Sequence, residues 1–77
     1  MARAYVLIKT TVGETTSVAD ALKRNEHIQV VDVIIGPYDL IALVEADDIH
    51  AIGTVVLRFV HEVGGVENTI TCPVISA

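Results

Sequence analysis

The chain is poor in the residues that usually hold a small domain together or give it chemistry. It has one cysteine, Cys72, so no intrachain disulfide can form. Tryptophan is absent and there is a single phenylalanine, so no large aromatic cluster can seed the core. Positive charge is also scarce, with five basic residues against ten acidic ones and a net charge of −5. The five are Arg3, Lys9, Lys23, Arg24 and Arg58, and only Lys23-Arg24 is a pair, placed where a helix should end. A phosphate-binding surface needs clustered positive charge, so direct nucleic-acid binding is excluded as the expected role. No apolar run approaches the roughly 18 residues of a membrane span. The first apolar run is broken by Lys9 and lacks a cleavage site, so no signal peptide is expected and a cytoplasmic location is.

Recognisable catalytic and metal motifs are missing as well. The histidines His27, His50 and His61 show no metal-ligand spacing, and Cys72 has no Cys-x-x-Cys partner. Cys72 falls in a β-like run, Val66–Val74, and is expected to be a small packed side chain rather than a reactive thiol. There is no nucleophile elbow, Walker loop or Gly-x-Gly-x-x-Gly. Asp47-Asp48 is a helix cap in preference to a cation site. No catalytic residue, cofactor or metal is therefore expected, and the chain does not read as an enzyme.

What the chain has in excess is aliphatic surface. Hydrophobic residues make up 52% of its 77 positions, mostly Val, Ile, Leu and Ala. One domain of this length buries only a modest share of its surface, so self-association is the simplest outlet. The pattern predicts a strand over Ala2–Thr10, then a helix over Glu14–Arg24 with Val18, Ala21 and Leu22 as its stripe. Asn25 can stop that helix. A second strand is expected at Ile28–Ile35 and a third at Leu40–Ala46, joined as a hairpin by Gly36-Pro37-Tyr38-Asp39. A second helix follows the Asp47-Asp48 cap, with Ile49, Ile52, Val55, Val56, Phe59 and Val60 as its apolar side, and Gly64-Gly65 closes the unit. The last strand is Val66–Val74, where Pro73 suits an edge or terminus.

The order β-α-β-β-α-β is that of an α+β, ferredoxin-like domain: a four-stranded antiparallel sheet with two helices on one face. A sheet with one wet face should alternate apolar and polar residues. The first three strands are instead apolar on both parities, which predicts a sheet-paired dimer at minimum.

The turn Gly36–Asp39 is the one composition that stands out. Gly36 permits positive φ, Pro37 fixes its own φ, Tyr38 suits a half-buried contact, and Asp39 can close an Asx turn onto an N–H two residues on. On the functional reading, the same turn is a rim that offers backbone groups, a carboxylate and an aromatic wall to a small polar ligand.

The run Gly36-Pro37-Tyr38-Asp39-Leu40-Ile41-Ala42-Leu43-Val44 resembles the Gly-x-Tyr-Asp signature of the RAM (regulation of amino-acid metabolism) effector domain of the Lrp/AsnC transcription regulators. Gly64-Gly65-Val66-x-x-Thr69-x-Thr71 is similar to the end of that domain. The resemblance spans essentially residues 1–77. It implies sheet-paired dimers assembled into octamers or similar rings, and amino acids or related small molecules bound in clefts between dimers. By the same resemblance Gly36, Tyr38, Asp39 and Leu40 fall on the loop lining the cleft, with Thr69 and Thr71 on the last strand. For the two threonines, simple β-propensity on an exposed face explains their presence equally well.

Met1 leads almost directly into the first strand, so the likeness is to a stand-alone domain without the helix-turn-helix, and DNA binding is not carried over. The expected function is an amino-acid-sensing oligomeric module that modulates full-length Lrp/AsnC regulators through mixed oligomers. The alternatives are a purely structural oligomerisation domain and a small enzyme on a dimeric α/β-barrel plan.

Overall fold

The computed structural model describes residues 1–76, and their elements run β1 (Ala2–Thr10), α1 (Thr15–Leu22), β2 (Ile28–Val33), β3 (Leu40–Ala46), α2 (Ile49–Arg58) and β4 (Val66–Pro73), with a short 3₁₀ turn at Val60–Glu62. All pairings are antiparallel and the sheet order is β2-β3-β1-β4. This is the predicted ferredoxin-like arrangement, and β1 and β3 have the predicted bounds.

Alternation decides which side of each strand is buried. Ala4, Val6 and Ile8 of β1 stand opposite Val44, Ala42 and Leu40 of β3, and all six are buried under the helices. Val18, Ala19 and Leu22 of α1 and Ile52, Val55 and Val56 of α2 complete this core, with Val60 behind them. The other parity forms the outer face: Tyr5 and Leu7 from β1, Ile41 and Leu43 from β3, Val30 from β2, and Ile70 and Cys72 from β4. Tyr5, Val30 and Ile70 are each more than 40% exposed there (42%, 45% and 43%). An apolar sheet face is thus left open, as the double apolar parity foretold.

Several expectations need correction. Cys72 is exposed rather than packed, because it lies on the outer face of an edge strand. Strand β2 ends at Val33, two residues early. The Ile34 N–H still bonds to the Asp39 carbonyl at 2.9 Å, one pair beyond Val33 and Leu40 in the same register, but the chain then leaves the sheet and Ile35 projects fully into solvent. Helix α1 is trimmed to Thr15–Leu22. The N–H groups of Arg24 and Asn25 bond three residues back, to Ala21 and Leu22, tightening the last turn. Asn25 then accepts from the His27 N–H at 2.8 Å, an Asx turn that re-aims the chain into β2. Ile49 and Phe59 were expected in the core stripe of α2, yet Ile49 is 54% exposed and Phe59 only partly covered. The predicted cap at α2 is present: Asp48 accepts from the Ala51 N–H at 2.8 Å.

Candidate ligand site at the signature turn and the last strand

The turn between β2 and β3 is held from outside itself. The Thr10 N–H donates to Asp39 Oδ2 at 2.8 Å, and the Thr10 hydroxyl donates to the same oxygen at 3.2 Å. An ionised carboxylate only accepts, so Thr10 has spent its proton. The 2.8 Å contact between the Thr10 and Thr15 hydroxyls must then have Thr15 as donor. In the other direction the Asp39 N–H donates to the Ile8 carbonyl at 2.9 Å. Asp39 therefore ties together the start of β3, the end of β1 and the first turn of α1. Its partner is Thr10, 29 residues away, and not the N–H two residues on that an Asx turn would use. The Thr10 backbone bond, above all, holds the Asp39 carboxyl below its ordinary range, with smaller contributions from the Thr10 hydroxyl and Lys9. Partial burial works in the opposite direction.

The remaining turn residues fall into two groups. Gly36 sits at φ +152 with nothing within 4 Å of where a Cβ would be, so the turn presents bare backbone to solvent. Tyr38 is half-buried. Leu40, by contrast, is fully buried in the core, and its side chain packs against the helices.

Thr69 and Thr71 sit elsewhere. They pair with Ile8 and Val6 across β1, which puts them on the helix side of the sheet at its open edge. There they line a cleft of about 380 Å³ between β4 and α2, together with Ile49, Ile52, Gly53, Val56, Leu57, His61 and Pro73. The cleft is apolar along α2 and polar at one end. At that end His61 Nε2 lies 2.8 Å from the Thr69 hydroxyl, beside a second hollow of about 250 Å³ flanked by Glu67 and Asn68.

The two groups of residues do not converge within one chain. Leu40, Ile8 and Thr69 lie in register across three neighbouring strands. The turn and the threonines are thus two strand spacings apart, roughly 10 Å. They lie at the same end of the sheet. Sequence reasoning passed over His61, which had a sufficient explanation as a basic residue near a helix end. Its approach to Thr69 depends on the 3₁₀ turn after α2, which has no clear sequence signal. No group of three metal-ligating side chains occurs among the described residues.

With the fold and the placement of these residues defined, the comparisons with known proteins identify the class. The profile of the Lrp/AsnC ligand binding domain matches residues 3–77. The chain belongs to this Lrp/AsnC effector-domain family. Among solved structures, TTHA0845 of Thermus thermophilus is 31% identical at TM-score 0.94, covering 100% of this chain and 96% of that one. AsnC of E. coli is 16% identical at TM-score 0.92, with 99% of this chain laid on 52% of that one. The transcriptional regulator NMB0573 of Neisseria meningitidis, solved as a complex with L-Met, is 14% identical at TM-score 0.87 and covers 97% of this chain and 50% of that one. At such identities the last two show a shared fold. Comparison with curated proteins gives no match.

Proposed function

We propose that this domain is an oligomeric sensor of a small amphipathic molecule, an amino acid in the first instance, taken up where two subunits meet. The observation that carries the reading is the pair of half-sites. The open Gly36–Asp39 turn and the Thr69–Thr71 strand are too far apart in one chain to grip one small ligand, and each is exposed for a second subunit to complete. Membership of a ligand-binding family and the L-Met complex of NMB0573 support the choice of ligand class.

The chemistry also suits an amino acid. The hydroxyls of Thr69 and Thr71 and the imidazole of His61 offer hydrogen bonds to its polar head. The α2 side of the cleft offers an apolar wall to its side chain. Bare backbone at Gly36 and the ring of Tyr38, from a neighbouring subunit, close the site. A ligand that touches two subunits stabilises the assembly that creates its site, by mass action. Through that linkage the module tunes the assembly of Lrp/AsnC regulators with which it forms mixed oligomers.

A thermal-shift screen against the twenty amino acids tests this. One or a few should raise the melting temperature at millimolar concentration, and Thr69→Val should remove the rise while leaving the unliganded melting point nearly unchanged. A flat response to all twenty refutes amino-acid sensing. One observation favours a second reading, assembly without a ligand: the Asp39 carboxylate is already engaged by Thr10. The same screen separates the two. Co-expression with a tagged full-length regulator tests the mixed oligomer, and recovery of homo-oligomers alone refutes it.

A further inference from the structure

The two hollows beside β4 share a wall. Among the described residues, His61 and Thr69 alone line both the 380 Å³ cleft along α2 and the 250 Å³ hollow next to it. On one side of this pair stand Ile52, Val56 and Leu57, and on the other Glu67 and Asn68. A small molecule with an aliphatic tail and a charged head, lying across the pair, places the start of its head at the Thr69 hydroxyl.

What that hydroxyl offers depends on the imidazole. His61 Nε2 lies 2.8 Å from Thr69 Oγ1. A neutral imidazole can accept at that nitrogen, so Thr69 can spend its proton there and turn its lone pairs to the cleft, where they accept from an ammonium. An imidazolium only donates. Thr69 Oγ1 must then accept, and its own proton is released to an acceptor in the cleft, such as a carboxylate. The charge of the ring acts in the same direction, attracting a carboxylate and repelling an ammonium. No lysine or arginine lines either hollow among the described residues, so protonated His61 is the cation this chain supplies to a carboxylate there. The charged and titratable groups on the elements around it are Glu62 on its own 3₁₀ turn, Glu67 on β4, and Arg58 and His50 on α2. Of these, Glu67 lines the polar hollow and is placed to hold an ammonium, whereas Arg58 lines neither hollow and His50 stands at the opposite end of α2.

We propose that His61 is the specificity-determining residue of this site: through Thr69 it matches the cleft to a carboxylate when protonated and to an ammonium when neutral, so that a carboxylate ligand enters together with a proton. This assignment rests on the ligand site proposed above. Affinity for a carboxylate is full at the acid end of the imidazole range and falls as pH rises through it, and affinity for an amine runs the opposite way. By reciprocity, a bound carboxylate holds the proton on His61 more tightly.

The test uses the full chain and two probes that split the head of an aliphatic amino acid: isovalerate, which carries only the carboxylate, and isobutylamine, which carries only the ammonium. Histidine-selective NMR titrations read both the binding of each probe and the protonation of each ring. Isovalerate should bind about fivefold more tightly at about pH 5.5 than at about pH 8, the low end of ordinary coupling because the exposed ring is screened by salt. Isobutylamine should prefer the higher pH. Isovalerate should move the His61 titration midpoint upward and isobutylamine should move it downward. His61→Gln keeps a hydrogen-bond partner for Thr69 but does not titrate, and it should flatten both profiles. His27→Gln/His50→Gln should leave them as in the parent. The proposal is overturned by isovalerate that does not bind at the lower pH, that binds equally at both, or that keeps its pH dependence in the His61→Gln protein. Any of these beside a positive amino-acid screen leaves amino-acid sensing standing. Proton-linked isovalerate binding beside a flat screen supports the role of His61 and removes the amino-acid reading alone.

Discussion

Of the five glycines, Gly65 leaves least room for a side chain, and Gly65→Ala measures how little. Its φ of +99 lies in a region that L side chains rarely adopt. A Cβ there would also stand 2.9 Å from Val18 Cγ2 and 3.0 Å from Glu14 Cβ. Neither neighbour can move away easily. Val18 is fully buried in the core, and Glu14 Cβ is fixed at the N-cap of α1. The Gly65 carbonyl additionally accepts from the Thr11 N–H at 2.8 Å, so the backbone cannot simply rotate. The backbone penalty is about 1–2 kcal/mol. Overpacking adds about 1–3 kcal/mol. Restriction of the unfolded chain returns about 0.4–1 kcal/mol. The net loss should be about 2–4 kcal/mol, a large part of the total stability of a domain of this size.

Gly13→Ala is the matched control. Gly13 sits at a similar φ of +86, but nothing lies within 4 Å of its Cβ. It should cost no more than about 1.5 kcal/mol, the backbone penalty less the unfolded-state return. Urea denaturation of both variants at one protein concentration gives the difference, which isolates the contact with Val18 and Glu14. Equal losses in the two variants would refute the packing argument.

Asp39→Asn should flatten the acid limb of the stability curve. The folded-state pKa of Asp39 lies below its unfolded value of about 3.8, so its contribution is complete above that value and is lost as pH falls through the folded pKa. Urea midpoints from about pH 5 to about pH 2.5 should fall for the parent and fall less for the variant; parallel curves would show that Thr10 does not hold the carboxylate. Leu43→Asp puts a charge in the middle of the outer face, and sedimentation should show a smaller assembly with an unchanged circular dichroism spectrum. Asp48→Ala removes the only side-chain cap found on the two α-helices and should cost about 1 kcal/mol by urea denaturation.

Local signals carried most of the fold. Strands β1 and β3 are read correctly because their β-branched and aliphatic runs are bounded by turn residues, and α2 because a capping aspartate precedes its stripe. Strand β2 is overextended because Ile34 and Ile35 have strand propensity, whereas the ladder closes at the Ile34 N–H bond to Asp39 and Ile35 already stands in solvent ahead of the Gly36 turn. Cys72 and Ile49 are misplaced for a related reason. An apolar side chain on an edge strand or on the flank of a helix looks the same in sequence as one in the core, and only the packing distinguishes them.

The amino-acid sequence by itself determined the β-α-β-β-α-β order, the doubly apolar sheet and the turn between β2 and β3, since each follows from periodicity and residue type along a short stretch. Tertiary structure alone decided what Asp39 holds, that His61 reaches Thr69, and that the turn and the last strand are separated by β1. Those facts join residues far apart in the chain, and no local pattern encodes the strand order β2-β3-β1-β4 that sets the distance between them.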